Sequence, residues 1–277
     1  MSRRLVAGPY LGEFGWELCC WNPRLRALAR DYDEVVVLAP ARSRPLYEFA
    51  TRFVPVNARP GSSDYMSGEL EGALPSVSGR GWSVRPAPST VAEELRALTD
   101  PAVASAVAAA KAWRRFAWES LPASPPLEVC LALRGPKALG GKLYTRKAWA
   151  PIHADAFGAM LLERGLRVAV VGGPDNRGLP GALDLRGAPL EQQIAALANA
   201  GVTVGPSSGP MHLAQLCGSA VVTWYDASPD QRRLSRLRYE SAWNPWRARL
   251  EYLEGVPDAE EALRATLRLL EPPLRAA

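Results

Sequence analysis

The chain has 277 residues, 48% of them hydrophobic, enough to bury a substantial core as one large domain or as two of half that size. Its 33 basic and 28 acidic residues leave a net charge of +5, a mild bias toward anionic partners such as phosphates, nucleic acid or an acidic membrane surface. Nothing approaches about 18 uninterrupted apolar residues, and Gly8, Pro9 and Glu13 break up the N-terminal apolar stretch, which excludes a spanning helix and a signal peptide of the usual kind.

Leu5–Gly8 and Glu34–Ala39 read as short buried strands on either side of an amphipathic helix from about Trp16 to Arg30, a βαβ opening. Asn22-Pro23 marks either the start of that helix or a kink in it. From Asn57 to Ser89 the chain is rich in Gly, Ser and Pro, and predicts an irregular excursion with one strand near Trp82. Helices are predicted over Val91–Leu98 and across the alanine-rich stretch Ala102–Leu121.

The stiff connector from Pro122 to Pro126 divides the chain into two halves, 1–125 and 126–277. The second half alternates regularly, with strands at 127–133, 166–172, 202–204 and 220–224 and helices at 152–164, 190–199 and 210–217. A closing helix spans about Asp258–Leu270. Such alternation predicts a parallel, doubly wound α/β sheet whose ligands gather at the carboxyl ends of the strands.

Cys19, Cys20, Cys130 and Cys217 form no Cys-x-x-Cys pair, and neither His153 nor His212 stands at zinc-finger spacing from them, so no metal site is expected. Buried, reduced cysteines point to a cytoplasmic setting, with room for peripheral contact at the inner membrane face.

The stretch VTVGPSSGPMHLAQLCGSAVVTW, Val202–Trp224, carries the most chemistry. A short strand ends at Gly205, Ser208 or Gly209 is a natural N-cap, Pro210 suits a first helical turn and Gly218 a C-terminal stop. A helix that starts at a strand's carboxyl end aims free N–H groups and its positive dipole end outward, which suits a diphosphate without a metal. Ordinary strand-to-helix turns use the same residues, so the pattern taken alone leaves both readings open. A second local asymmetry supports the anion site. Between Val129 and Ala154 there is no acidic residue, while Arg134, Lys137, Lys142, Arg146 and Lys147 follow directly after the first strand of the second half.

Together with the preceding DLRGAPLEQQIAALANA, Asp184–Ala200, this segment resembles the heptosyltransferase signature. There, a strand ending in Leu-x-Gly and an alanine- and leucine-rich helix precede Gly-Asn-Asp-Thr-Gly-Pro-x-His-x-Ala. Gly205, Ser208, Gly209, Pro210, His212 and Ala214 occupy the matching positions, while Pro206 and Ser207 replace the family's Asn and Asp. The resemblance covers about residues 127–231 and implies a GT-B fold, two Rossmann-like domains facing a central cleft. It also implies an inverting, metal-independent transfer from a nucleoside diphosphate sugar to a glycan or glycolipid hydroxyl, with no cofactor beyond the sugar nucleotide.

On the same resemblance, RKAWAPIHADAFGAMLLERGLRVAVVGGP, Arg146–Pro174, matches the family's Lys-Arg-Trp-Pro segment, helix and Gly-Gly-Pro strand end. Lys147 then meets the donor phosphate, with Arg134, Ser207, Ser208, Gly209, Pro210, Met211 and His212 around it. Gly173 and Asp175 meet the nucleotide, with Asn176 as the rival for the ribose contact. The family's aspartate lies near the donor sugar, so Ser207 in its place means that heptose cannot be assumed. His212 reads equally as a phosphate contact and as a hydrogen-bonded core histidine, whereas His153 reads as a surface residue.

Attack on an anomeric carbon needs a base, and the first β-α loop offers Glu13 and Glu17. Gly12-Glu13 matches the family's Gly-Asp if four residues are inserted before Pro23, and Gly15–Glu17 is the competing alignment. Glu13, in a loop with glycines on either side at Gly12 and Gly15, is the favoured base; either carboxylate could instead bond helix N–H groups. Asp31-Tyr32-Asp33 is formally the metal-binding Asp-x-Asp of the other large glycosyltransferase fold, but it precedes a strand and reads as a solvated loop. Rival functions are a nucleotide-sugar epimerase or pyruvyl transferase on a similar fold and a non-catalytic nucleotide-sugar binder. Arginines 232, 233, 236, 238, 247 and 249 with Trp243 and Trp246 read equally as a helix's solvated face and as a site for an anionic, membrane-bound acceptor, and both stand before nucleic acid.

Overall fold

A computed structural model describes residues 3–59, 69–70, 82–85, 91–117, 126–135, 137–139, 142–144 and 148–271. The chain forms two compact units, Met1–Arg114 and Arg115–Ala277.

The first unit is built on a four-stranded parallel sheet. Its strands are β1 (Arg4–Ala7), β2 (Glu34–Pro40), β3 (Arg52–Val56) and β6 (Trp82–Arg85), in the spatial order β3-β2-β1-β6; β4 (Ala58–Arg59) and β5 (Glu69–Leu70) form a separate antiparallel pair. β1 and β2 are nearly continuous runs of Val, Leu and Ala, as strands covered on both faces require.

Between β1 and β2 lies one continuous helix, α1: an α turn at Phe14–Trp16, a π segment at Glu17–Trp21 and an α segment at Asn22–Ala29. The kink expected at Asn22-Pro23 takes the form of this wider π turn. Pro23 offers no N–H and its ring crowds the carbonyl four residues back, and a π turn just before it accommodates both defects. Asn22 caps nothing; its buried amide donates to the Leu46 carbonyl at 2.7 Å.

α2 (Val91–Arg96) and α3 (Pro101–Ala109) follow, the latter capped by Asp100, whose carboxylate accepts from the amides of Ala102 and Val103. The helix predicted to reach Leu121 stops at Ala109, and residues 111–117 are not helical. Alanine propensity is overridden there by tertiary bonds: the Ala112 amide donates to the Pro23 carbonyl at 2.8 Å, and the Lys111 ammonium binds the Glu94 carboxylate at 2.9 Å.

The second unit is a six-stranded, all-parallel sheet. Its strands are β7 (Leu127–Leu131), β10 (Val168–Gly172), β11 (Leu183–Arg186), β12 (Ala200–Pro206), β13 (Ala220–Trp224) and β14 (Leu250–Leu253); a short antiparallel hairpin, β8 (Lys137–Leu139) and β9 (Lys142–Tyr144), intervenes after β7. The order β11-β10-β7-β12-β13-β14 is the 3-2-1-4-5-6 arrangement of a dinucleotide-binding Rossmann sheet, and its winding reverses between β7 and β12.

The helices of this unit are α4 (Pro151–Glu163), α5 (Leu190–Asn199), α6 (Gly209–Cys217), α7 (Pro229–Leu237, continued by a π turn at Arg238–Ala242) and α8 (Ala259–Leu270). Val129, Leu131, Val170, Val204 and Val222 form the core with Phe157, Leu161 and Leu263. Trp149 is buried between Phe157 and Trp224 and donates to the Pro257 carbonyl, which fixes the entry to α4 against that core. The first residues of the unit are bound to α6: the Phe116 amide donates to the Leu216 carbonyl and the Arg115 guanidinium to the Cys217 carbonyl.

Candidate functional site

Ligands of an open parallel sheet collect where strand order reverses, here at the carboxyl ends of β7 and β12. Three segments converge there. After β7 come Ala132–Gly135, after β10 Gly173–Arg177, and after β12 the serine turn that opens α6. The Arg177 amide donates to the Leu133 carbonyl, and the Ala132 amide to the Val204 carbonyl. Arg134 is half-buried within this convergence. β8 and β9 show that the basic stretch after β7 is in part a hairpin; Arg146 and Lys147 lie outside the described residues.

The opening of α6 follows the sequence expectation at Ser208, the extended N-cap residue (φ -161°, ψ 171°), and at Gly218, the left-handed stop (φ 89°). Its amides are only partly available. The Ser207 amide donates to the Trp224 carbonyl at 2.8 Å, Pro210 has none, and those of Met211 and His212 turn back to the Ser208 carbonyl. Among the described residues no acceptor faces the Gly209 amide, so this donor and the helix dipole are what the end of α6 presents. The Met211 side chain is fully buried.

Ser207 and Ser208 are both buried, and the Ser235 hydroxyl donates to that of Ser207 at 3.3 Å. His212 is buried too, stacked on Tyr239 with centroids 4.3 Å apart and met edge-on by Trp243 at 4.7 Å. Gln215 donates from α6 to the Tyr239 carbonyl at 3.0 Å, binding the π turn after α7 to α6. Burial pushes the Tyr239 phenol well up, against the opposing influence of Ser207, Thr223 and the Ser208 backbone. The sequence hinted at this aromatic enclosure only through the density of aromatics after Arg238.

After β10, Gly172 takes a positive φ of 116°, and the Asn176 side chain folds over it. Asp175 stays exposed at the turn's outer face beside Gly173, so Asn176 is turned inward and Asp175 outward. The arginines at the far end of the sheet are largely spent within the fold. Arg236 pairs with Glu240 and Glu254, Arg232 donates to the Glu254 carbonyl, Arg249 to the carbonyls of Leu269 and Glu271, and the Arg238 guanidinium lies 4.9 Å over Trp243. Trp246 donates to the Leu216 carbonyl.

In the first unit, Glu13 is the residue before α1, and its carbonyl accepts from Tyr10 Oη and from the amides of Trp16 and Glu17. Its side chain is half-buried. Glu17, one turn on, is 1% exposed, and its carboxylate accepts from Tyr47 Oη at 2.8 Å and Ser43 Oγ at 3.0 Å. Burial pushes its carboxyl up to about 7 despite those bonds and the nearby Arg42 charge. The partners of Glu17 lie 26 and 30 residues away, beyond any local sequence signal. The Asp31-Tyr32-Asp33 turn is tied down by the Arg3 amide, which donates to the Asp33 carboxylate at 2.7 Å. Among the described residues no cluster of three or more His, Cys, Asp or Glu could hold a metal ion.

Solved structures that superpose on this chain include glycosyltransferases. E. coli ADP-heptose LPS heptosyltransferase II superposes with a TM-score of 0.56 at 15% identity, covering 97% of this chain and 98% of that one. The family 9 glycosyltransferase of Veillonella parvula gives 0.53 at 10% identity, covering 97% of each chain. E. coli heptosyltransferase WaaC with ADP gives 0.51 at 12%, covering 96% and 99%. The chain has the GT-B fold. No family model matches the sequence, and no curated protein matches it either. At such identities the likeness concerns the fold of the heptosyltransferases and leaves the chemistry to the residues. No helix among the described residues is long and apolar enough to cross a membrane.

Proposed function

We propose that the protein transfers a sugar from a nucleoside diphosphate sugar to an acceptor hydroxyl, with inversion at the anomeric carbon and without a metal. The single observation that carries this reading is the switch point of the second unit, where α6 starts after β12 with the Gly209 amide and its dipole end, and the segment bearing Arg134 leaves the adjacent β7. An anionic diphosphate is the ligand such a position suits best. ADP-heptose is named for one similar structure and ADP is bound in another, which supports a nucleotide sugar as donor.

In this reading the α6 end and the cations Arg134 and Lys147 take up the charge that develops on the departing nucleoside diphosphate. Glu13 removes the proton of the attacking hydroxyl as the carbon–oxygen bond to the leaving phosphate breaks. Glu13 is preferred over Glu17 because its side chain reaches solvent, whereas that of Glu17 is sealed behind Ser43 and Tyr47. The acceptor is a glycan or glycolipid in this proposal, with the protein working in the cytoplasm. With Ser207 bonded to Ser235 rather than presenting a carboxylate, the sugar is left open to hexoses as well as heptoses.

The test is a thermal-shift screen across nucleoside diphosphates and their sugars, followed by product analysis with the stabilising donor. Release of the nucleoside diphosphate with glycosylation of an acceptor is expected. Stabilisation by a donor that is never consumed would assign a binding protein instead, and a product retaining its nucleotide would assign an epimerase.

A further inference from the structure

The Asp-Leu-Arg-Gly run at the end of β11 has a use that the donor-site reading leaves unexplained. β11 is an edge strand, and its carboxyl end forms a seat for the turn that follows β10. The Arg186 guanidinium is gripped by the Asp184 carboxylate through two bonds of 2.8 and 2.7 Å, and from there donates to the Asn176 carbonyl at 2.6 Å. It lies flat on Gly178, where an added β carbon would come within 2.7 Å of it. One residue on, Gly187 has a positive φ of 68°; its amide donates to the Gly172 carbonyl and its α carbon leaves room for Pro174. Gln193 closes the seat from α5: its side-chain oxygen accepts from the Gly172 amide at 2.8 Å, and its side-chain nitrogen donates to the Ala188 carbonyl at 2.9 Å.

Arg186, Gly187 and Gln193 each bond the backbone of the Gly172–Gly178 turn, and the one acidic side chain on that turn, Asp175, is left exposed. At the end of the second strand of a Rossmann sheet, an outward carboxylate is placed to accept from the vicinal hydroxyls of a ribose. We propose that Arg186, supported by Asp184 and Gln193, is a positioning residue that fixes this turn so that Asp175 meets the ribose diol of the nucleotide. The inference rests on the nucleotide-sugar reading given above. Arg186 itself touches no ligand; it acts by limiting the poses open to the Asp175 backbone.

The experiment is calorimetric titration of the full chain with ADP, GDP, UDP and CDP, and then of the tightest binder against its 2′,3′-dideoxy counterpart. Wild type is expected to prefer the ribose form, and Asp175→Ala to remove that preference by weakening the ribose form alone, by about tenfold for a lost charge-assisted hydrogen bond. Arg186→Ala is expected to reproduce this selective loss with a melting temperature close to that of wild type, since the Arg186–Asp184 pair is solvent-exposed. Arg186→Lys, which keeps a donor for the Asn176 carbonyl, is expected to restore part of the preference. The double variant Asp175→Ala/Arg186→Ala should be no weaker than Asp175→Ala alone, because both changes act through one contact.

Equal weakening of the ribose and dideoxy forms by Arg186→Ala, or additive losses in the double variant, would overturn the positioning role and leave the donor reading standing. So would a wild-type protein that binds both forms equally. Failure of wild type to bind any of the four diphosphates would overturn the donor reading and this proposal together.

Discussion

The α carbon of Gly205 lies against the backbone of Ala132: a β carbon there would stand 2.7 Å from the Ala132 carbonyl oxygen. These two residues join β12 and the end of β7 at the reversal of strand order. Glycine is required at 205 because the two backbones approach too closely for any side chain.

Gly205→Ala is therefore expected to push the two strand ends apart, destabilising the protein by about 1–3 kcal/mol as overpacking does. The urea midpoint should fall with the slope unchanged, and nucleoside diphosphate affinity should fall with it. Unaltered stability would mean that the strands yield without strain.

Glu17 predicts a pH dependence of stability. Its folded pKa, about 7, lies above the ordinary 4.5, so the protonated carboxyl is the form the fold favours. The corresponding stability is complete below 4.5, declines as pH rises from 4.5 to 7 and is absent above, a loss of about 3 kcal/mol. Glu17→Gln keeps the shape and an acceptor oxygen for one of the two hydroxyls, Ser43 or Tyr47, without the ionisation. Urea unfolding at pH 5 and pH 8 is expected to show a smaller difference for the variant than for wild type, and identical differences would refute the assignment.

Glu94 is held between two buried cations, Arg24 at 3.1 Å and Lys111 at 2.9 Å. Glu94→Gln removes the carboxylate from Lys111 and leaves Arg24 with Glu93 alone at 3.3 Å, and is expected to cost about 3–5 kcal/mol, whereas removing the exposed Arg236 partner Glu240 should change stability by less than about 1 kcal/mol. Chemical denaturation of the two variants side by side checks the contrast.

His212 predicts a separation of packing from chemistry. His212→Phe preserves an aromatic ring on Tyr239 and is expected to keep the melting temperature near that of wild type, while His212→Ala opens a cavity and lowers it. If His212→Phe instead abolishes donor binding at unchanged stability, the imidazole contacts the phosphates directly.

The second unit was more legible in the sequence than the first. Its strands and helices alternate with clear periodicity, and Ser208, Pro210 and Gly218 mark the limits of α6 through local backbone chemistry alone. β3, β11, β14 and α7 carried weaker patterns, since short or edge strands with exposed positions lack the apolar run of a central strand. The alanine stretch misled because its helical propensity is outweighed by the bonds of Lys111 and Ala112 to distant residues.

Sequence alone determined the α/β class, the strand-turn-helix at Val202–Cys217 and the resemblance to the heptosyltransferases, because glycine, proline and capping residues act on the backbone next to them. Tertiary structure decided which of those residues are available. It committed the amides of Ser207, Met211 and His212, enclosed His212 in aromatic rings, sealed Glu17 behind Ser43 and Tyr47, and turned Asn176 inward while leaving Asp175 outside. Availability depends on which groups from far along the chain come within hydrogen-bonding reach, and that is a property of packing that no local pattern carries.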